Sequence, residues 1–348
     1  MQMRERVALF IVFLFLVTAF VNFNIANTEE GAVAGYTFTG ERTVVDMAGR
    51  QVKLPEEVKR IVTTYKSATQ FVFALGAQER LVAVDIGSPR IKLFTTLMPE
   101  IKKLPTVGSK RHGLNLEEII STRPDMVILF PYGDGPEVAR KLKQHGIASI
   151  IIKPESLAQI KETNLLLGKA LNLEERAQRV DQEYERIMQM ARELAGSTAE
   201  KKMVYFANSE LLDTVGRGML QTSIIESAGG INPASRVKAG FIKTSPEELI
   251  KWNPDMVIVS QFFQGEIGKL LQQTKYQTIK AFKEGKIYRI PSNLEPWDHP
   301  SPSSYLAIIW LGQKLYPDKF SESGLAEVVN HYYTTLYGRS YTELGGRL

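Results

Sequence analysis

The side chains of this chain that could do chemistry sit in short loops beside predicted strands. Tyr65-Lys66-Ser67 follows one strand, and Gly108-Ser109-Lys110-Arg111-His112-Gly113 precedes a helix. Pro131-Tyr132-Gly133-Asp134 closes another αβ unit. In the second half, Gly216-Arg217-Gly218, the loop ending Gly240-Phe241, Gln261-Phe262-Phe263 and Glu295-Pro296-Trp297-Asp298-His299-Pro300 take corresponding places. Each alone is more often a solvated turn than a site. Aromatic and cationic side chains converging from both halves suit a large, partly apolar, anionic ligand, held by stacking and charge-assisted hydrogen bonds.

Catalytic patterns are missing from these loops. The sequence has no HExxH, P-loop, GxSxG elbow or full GxGxxG, and Gly216-Arg217-Gly218 is too short a glycine motif to mean a nucleotide site. The 4 histidines lack metal-ligand spacing. His145, at a predicted helix end, reads as a partner of the helix dipole, and His331 as solvent-facing. Trp252 lies on a helix and reads as packing. The chain contains 0 cysteines, which removes disulfides, thiolate metal sites, cysteine nucleophiles and a lipid-bearing cysteine together.

The elements that position these loops are legible. NLEEIISTRPDMVILF (115–130) and SPEELIKWNPDMVIVS (245–260) agree at 8 of 16 positions without a gap. Each is a helix start with two glutamates, a Pro-Asp turn and an apolar strand. TVVDMAGRQVKLP predicts a hairpin; RIVTTY, LVAVD and IASIIIK predict strands alternating with helices, and KMVYFAN and KIYRIP repeat the pattern. Such alternation predicts α/β lobes, each a parallel-type sheet between helical layers. Residues 156–195 are almost all helix formers, broken near Leu171-Asn172, and the second part runs about 35 Å at the helical rise. The expected plan is an N-terminal lobe (43–153), a linking helix (154–196), a C-terminal lobe (197–315) and a tail (316–348) of one or two surface helices. A binding cleft between the lobes follows from strand-end loops facing each other.

Arg4 and Arg6 precede an uncharged apolar run, Val7–Val21. A basic start before an apolar stretch of this length predicts an export signal, cleaved near residues 26–34. Extended through residues 7–25, the same stretch predicts an N-terminal membrane anchor near the lower limit of spanning length. Export is common to both. The net charge of +5 is spread without a basic run and gives nucleic-acid binding no support.

Four ordered stretches, RIVTTYKSATQFVFALGAQERLVAV, GLNLEEIISTRPDMVI, GRGMLQTSIIESAGGINPA and PSPSSYLAIIWLGQKLYP, resemble the periplasmic binding proteins that deliver ferric siderophores, haem and cobalamin to ABC importers. The resemblance runs from Thr43 to Pro317. It implies two α/β lobes joined by one stiff helix, a non-enzymatic receptor without a cofactor, and a ligand between the lobes. By the family pattern the cleft is lined near Tyr65, Arg111, His112, Tyr132, Phe241, Trp297 and His299, with Lys66, Lys110, Arg217 and Asp298 in the same loops. It further implies that Glu117 and Glu247, one per lobe, dock onto the two halves of an ABC permease dimer, with Glu118 and Glu248 assisting or only favouring the helix start. The EPWDHPSPS loop and the KRHG segment also resemble a branch that binds molybdate or tungstate. A metal chelate is the first expectation and an oxyanion the second. An exported enzyme or sensor ectodomain on the same frame is the third.

Overall fold

The computed structural model describes residues 41–109, 112–196, 201–237 and 240–348. The export signal or anchor, Lys110 and Arg111 lie outside the described residues. Among those described, no helix is long and apolar enough to cross a membrane.

The N-terminal lobe begins with an antiparallel hairpin, β1 (Glu41–Val45) and β2 (Gln51–Pro55). Its turn is held by Asp46, which accepts from the Ala48 and Arg50 amides and from the Arg50 guanidinium. Next come β3 (Ile61–Thr63), helix α1 (Lys66–Ala74) and β4 (Leu81–Ala83). A short antiparallel ribbon pairs β5 (Gly108–Ser109) with β6 (Gly113–Leu114). Helix α2 (Leu116–Ser121), β7 (Met126–Leu129), α3 (Gly135–Gln144) and β8 (Ala148–Ile151) complete the lobe. The main sheet is parallel, in the order β4-β3-β7-β8.

Helices α4 (Leu157–Leu171) and α5 (Glu174–Gly196) follow, and the break falls at Asn172, in the left-handed region at φ 57°. They pack closely: a Cβ on Gly168 would lie 2.4 Å from the Ala177 Cβ, so only glycine fits at that crossing. The C-terminal lobe has β9 (Val204–Ala207), the antiparallel pair β10 (Asp213–Val215) and β11 (Phe241–Lys243), α6 (Leu220–Ser227), α7 (Pro246–Trp252), β12 (Met256–Val259) and β13 (Ile287–Arg289). Its parallel sheet runs β13-β12-β9. Helices α8 (Ser304–Leu315) and α9 (Glu322–Tyr337) close the chain. β7 and β12 are buried at every position, as expected for parallel strands covered on both faces.

The repeated stretch has a structural cause. Asn115 and Ser245 cap α2 and α7, accepting from the Glu118 and Glu248 amides at 3.1 Å. Each Pro-Asp turn then stitches two strands together. Asp125 accepts from the Lys59 and Arg60 amides at 2.8 Å, just ahead of β3, and Asp255 accepts from the Met203 amide at 2.7 Å, just ahead of β9. The residue between helix and Pro-Asp is left-handed in both copies, Arg123 at φ 47° and Asn253 at φ 44°.

Two expectations need correction. The tail is not a surface helix. Tyr332, Tyr333, Leu336 and Tyr341 are fully or almost fully buried, and α9 packs on α1, α5 and α8 together. Trp297 is not a cleft residue: it is 0% exposed, its indole N–H donates to Tyr333 Oη at 3.1 Å, and its ring lies 5.5 Å from Tyr341. The proline-rich loop turns this ring inward because the tail supplies both an apolar wall and a hydroxyl acceptor, which the indole needs when buried.

Trp297→Ala should therefore lower folding stability by about 3–5 kcal/mol, read by denaturant unfolding, the range for deleting a large core aromatic. At the repeat, Asn253→Ala should cost about 1–2 kcal/mol, because alanine bears the left-handed strain that asparagine tolerates. Arg123→Asn should shift the midpoint the other way, by up to about 1 kcal/mol at unchanged denaturant slope.

Candidate binding cleft

The candidate side chains follow the carboxyl ends of the parallel strands, where loops from both lobes meet. Tyr65 and Lys66 follow β3, Asp85 and Gly87 follow β4, Tyr132 follows β7, and Lys153 and Glu155 follow β8. From the other lobe, Gln261 and Phe262 follow β12, and the loop carrying His299 follows β13.

On the N-terminal wall, the Tyr65 ring stands edge-on to Phe130 at 5.7 Å, and its hydroxyl donates to the Ile152 carbonyl at 3.4 Å. Burial, with the Glu155 charge behind it, raises the Tyr65 phenol well above its ordinary value, so it stays protonated. Tyr132 is 39% exposed, with the Lys153 ammonium 5.8 Å from its ring centre. Burial and the Glu155 carboxylate push its phenol up to about 12. Lys66 is exposed in the first turn of α1, and that helix start has no side-chain cap. The lysine stem crosses Gly87 so closely that a Cβ there would lie 2.4 Å from Lys66 Cε. Asp85 lies buried beneath, accepting from the Ser88 hydroxyl and, at 2.7 Å, from the Gly87 amide. Burial raises its carboxyl, and the hydrogen bonds and Lys66 oppose the rise.

The C-terminal wall is built on His299, which is half-buried. The Gln261 amide nitrogen donates to His299 Nε2 at 3.1 Å, which places the ring proton on Nδ1. Phe262, 51% exposed, lies against the imidazole at 4.9 Å between ring centres. Burial lowers the His299 imidazole below its ordinary value; Asp298 pulls it up and Lys66 pushes it further down. The ring is therefore neutral at pH 7. Gln70, one turn along α1 from Lys66, donates to Ser303 at the end of the His299 loop at 3.1 Å, so the start of α1 and that loop adjoin.

The remaining candidates are placed as follows. His112 is exposed on the β5–β6 ribbon, its Nδ1 3.0 Å from Ser109 Oγ. Asp134 accepts from the Leu114 amide at 3.1 Å and so ties that ribbon to the Tyr132 loop. Arg217 is exposed, and its Nε donates to the Ser235 carbonyl at 3.3 Å. Phe241 is 64% exposed at the start of β11. No described contact joins Arg217 or Phe241 to the Lys66–His299 pair. Asp298 is another correction: its side chain is buried and it does not line the cleft, and its backbone carbonyl accepts from Gln221 at 2.9 Å. It lies under the loop and acts on His299 by charge. Among the described residues no cluster of three or more His, Asp or Glu could hold a metal ion. Asp85 is the participant missing from the predicted loops, and Gln261 and Phe262 stand in a predicted loop from which no single residue was chosen. Asp85 ends the predicted strand LVAVD, and that position was the available signal.

Glu117 and Glu247 stand in the first turns of α2 and α7, both exposed, in equivalent places on the two lobes. Glu118 and Glu248 are less exposed.

Comparison with known proteins extends over most of this frame. The molybdate-binding protein MolA of Haemophilus influenzae is 24% identical over 335 residues, covering 88% of this chain and 93% of its own. The vitamin B12-binding protein of Salmonella typhimurium is 25% identical, covering 71% of this chain and 86% of its own. Among solved structures, a periplasmic solute-binding protein of Veillonella parvula superposes with a TM-score of 0.77 at 27% identity, over 86% of this chain and 94% of that one. Helicobacter pylori CeuE in its Ni-His complex superposes at 0.74 and 20% identity, over 88% of this chain and 98% of that one. The periplasmic binding protein family profile matches residues 61–294, and the chain belongs to that family, as a two-lobed solute receptor of ABC import and not an enzyme.

Proposed function

We propose that the protein captures an anionic metal chelate between its lobes and hands it to an ABC permease dimer. One observation carries the reading: the Gln70–Ser303 hydrogen bond sets α1, which bears Lys66, against the loop that bears His299, and Phe262 presents an exposed ring to that imidazole. A lysine ammonium supplies a positive charge for carboxylate, phenolate or hydroxamate oxygens of a chelate. A neutral imidazole can hydrogen-bond to such a complex or ligate its metal, and an imidazolium could only donate hydrogen bonds. The exposed rings of Phe262 and Tyr132 suit the apolar body of a chelator. The vitamin B12-binding and Ni-His-binding relatives are in keeping with this solute class.

An oxyanion such as molybdate is the second reading. The uncapped start of α1 beside Lys66 favours it, because free helix amides and a cation attract oxyanions, and so does the Haemophilus relative. Export through the N-terminal apolar stretch, by cleavage or by anchoring, completes the proposal. The 0 cysteines of the chain leave no residue for a lipid anchor of that type.

The test is a stability titration of the purified protein against ferric hydroxamates, ferric catecholates, haem, cobalamin, molybdate and tungstate. A true ligand raises the melting temperature progressively with its concentration. Lys66→Ala should weaken either class by roughly 10- to 100-fold, the loss of a charge-assisted hydrogen bond. Phe262→Ala should weaken a chelate by up to about 10-fold and leave an oxyanion unchanged. Equal loss of both classes in Phe262→Ala would refute the division of roles.

Glu117 and Glu247 are proposed as the docking carboxylates, on the strength of their matched exposure on the two lobes. Glu117→Ala and Glu247→Ala should leave folding stability within about 0.5 kcal/mol and solute affinity unchanged. Each should lower stimulation of the permease ATPase, and the double variant should lower it more. Loss of solute affinity instead would assign these glutamates to the pocket.

A further inference from the structure

The loop that carries His299 is closed at its base by a buried carboxyl that the binding reading does not use. Glu295 is 1% exposed, and its Oε1 accepts from Ser303 Oγ and, at 2.7 Å, from Tyr333 Oη. Glu295 and Ser303 are the two ends of the segment that holds His299. Ser303 also accepts from Gln70 Nε2 at 3.1 Å, and Gln70 lies one turn along α1 from Lys66. Tyr333 in turn accepts from the Trp297 indole. One carboxyl thus joins the His299 loop, the helix of Lys66 and the tail helix α9.

We propose that Glu295 is a positioning residue whose carboxyl carries a proton when the cleft is in order, and that losing this proton releases the His299 wall. The groups facing it set the argument. Tyr333 and Tyr337 reach it from α9, with Tyr332 and Tyr341 beyond them, and Ser303 from the start of α8. Gln70 of α1 is neutral. From α5, Tyr184 and Arg176 act on Tyr337, and the Arg176 guanidinium is spent on the Ala74 and Leu336 carbonyls. Asp298, in the same loop, acts on His299. No cation among the described residues pairs with Glu295. A buried carboxylate with only neutral donors costs far more than the acid.

Glu295 Oε2 and Tyr337 Oη are both buried, and the Tyr337 hydroxyl joins Ser303 and Tyr333 as a neutral donor to the carboxyl, with no opposite charge among them to offset its burial. Burial pushes the carboxyl up to about 7, against the downward pull of the Ser303, Tyr333 and Tyr337 hydroxyls. The folded value lies above the unfolded one of 4.5, so the stabilisation is full below pH 4.5 and is lost as pH rises through about 7.

The experiment follows the His299 ring signals by NMR in the purified, solute-free chain as pH is raised. His299 itself titrates below the ordinary histidine value, so an inflection near pH 7 reports Glu295 separately. The wild type should show that second inflection and Glu295→Gln should lack it. Tyr333→Phe, which removes a donor to the carboxylate, should move it upward and serves if the glutamine variant does not fold. The melting temperature of the wild type should fall between about pH 5 and pH 8 relative to Glu295→Gln. An identical His299 profile in wild type and Glu295→Gln, or an inflection unmoved by Tyr333→Phe, would overturn the proposal. The role rests on the cleft reading only for its effect on binding. Because the readout needs no solute, its failure is distinct from a wrong choice of solute class.

Discussion

The seating of α1 against the His299 loop is the constraint on which the cleft depends, and a shared hydrophobic core holds it. One core runs from Val44 of the first hairpin through α1, α5 and α8 to Leu344 in the tail, so the two lobes are not separately packed bodies. The Tyr184 ring on α5 stacks on Tyr305 of α8 at 4.2 Å, which pins the linking helix to the C-terminal lobe. Arg176 does the same on the other side, donating to the end of α1 and the end of α9. Closing the cleft by a large rotation would have to break this packing, which dense interiors resist. A cleft held open at nearly its bound width gives up little entropy when the solute arrives, and that favours affinity from few contacts.

The repeated stretch shows how a cheap structural unit is reused for something it does not need. Its caps, its left-handed residue and its strand-stitching aspartate all serve folding, and the same solution appears on both lobes for the same reason. The second glutamate of each pair, whose amide the cap residue accepts from, is partly covered. The first is exposed on each lobe, beyond what capping asks for. On the docking proposal, a pair of identical acidic points, one per lobe, is what a two-fold permease would read.

Much of this was legible in the chain. Strands buried on both faces announce themselves as unbroken apolar runs, and the helix break at Asn172 announced itself because asparagine tolerates the left-handed region. The alternation of strands and helices placed the loops correctly at the strand ends. What failed was orientation within a loop. Trp297 and His299 are two residues apart in one proline-rich segment, and nothing local says that one points into the core and the other toward the opposite lobe. The decision is made by Tyr333 and Tyr341, more than 30 residues later in sequence. The same long-range dependence hid the tail. Its tyrosines look like surface residues in isolation, and they are buried only because α1, α5 and α8 together offer them a groove.

Charge divides the labour of the molecule. The cleft has Lys66 on α1 and a neutral imidazole on the adjoining loop, with Asp85 buried and committed to its own hydrogen bonds. Glu117 and Glu247 are exposed on the two lobes. On the proposed reading, an anionic solute is drawn to the first region and a basic permease surface to the second. Both attractions are exposed enough to be screened within about 10 Å at moderate salt. The buried group between them, Glu295, is not screened, because its environment is protein on every side. On the proposal above, its charge state reaches both walls of the cleft through hydrogen bonds, by way of Ser303 and Gln70.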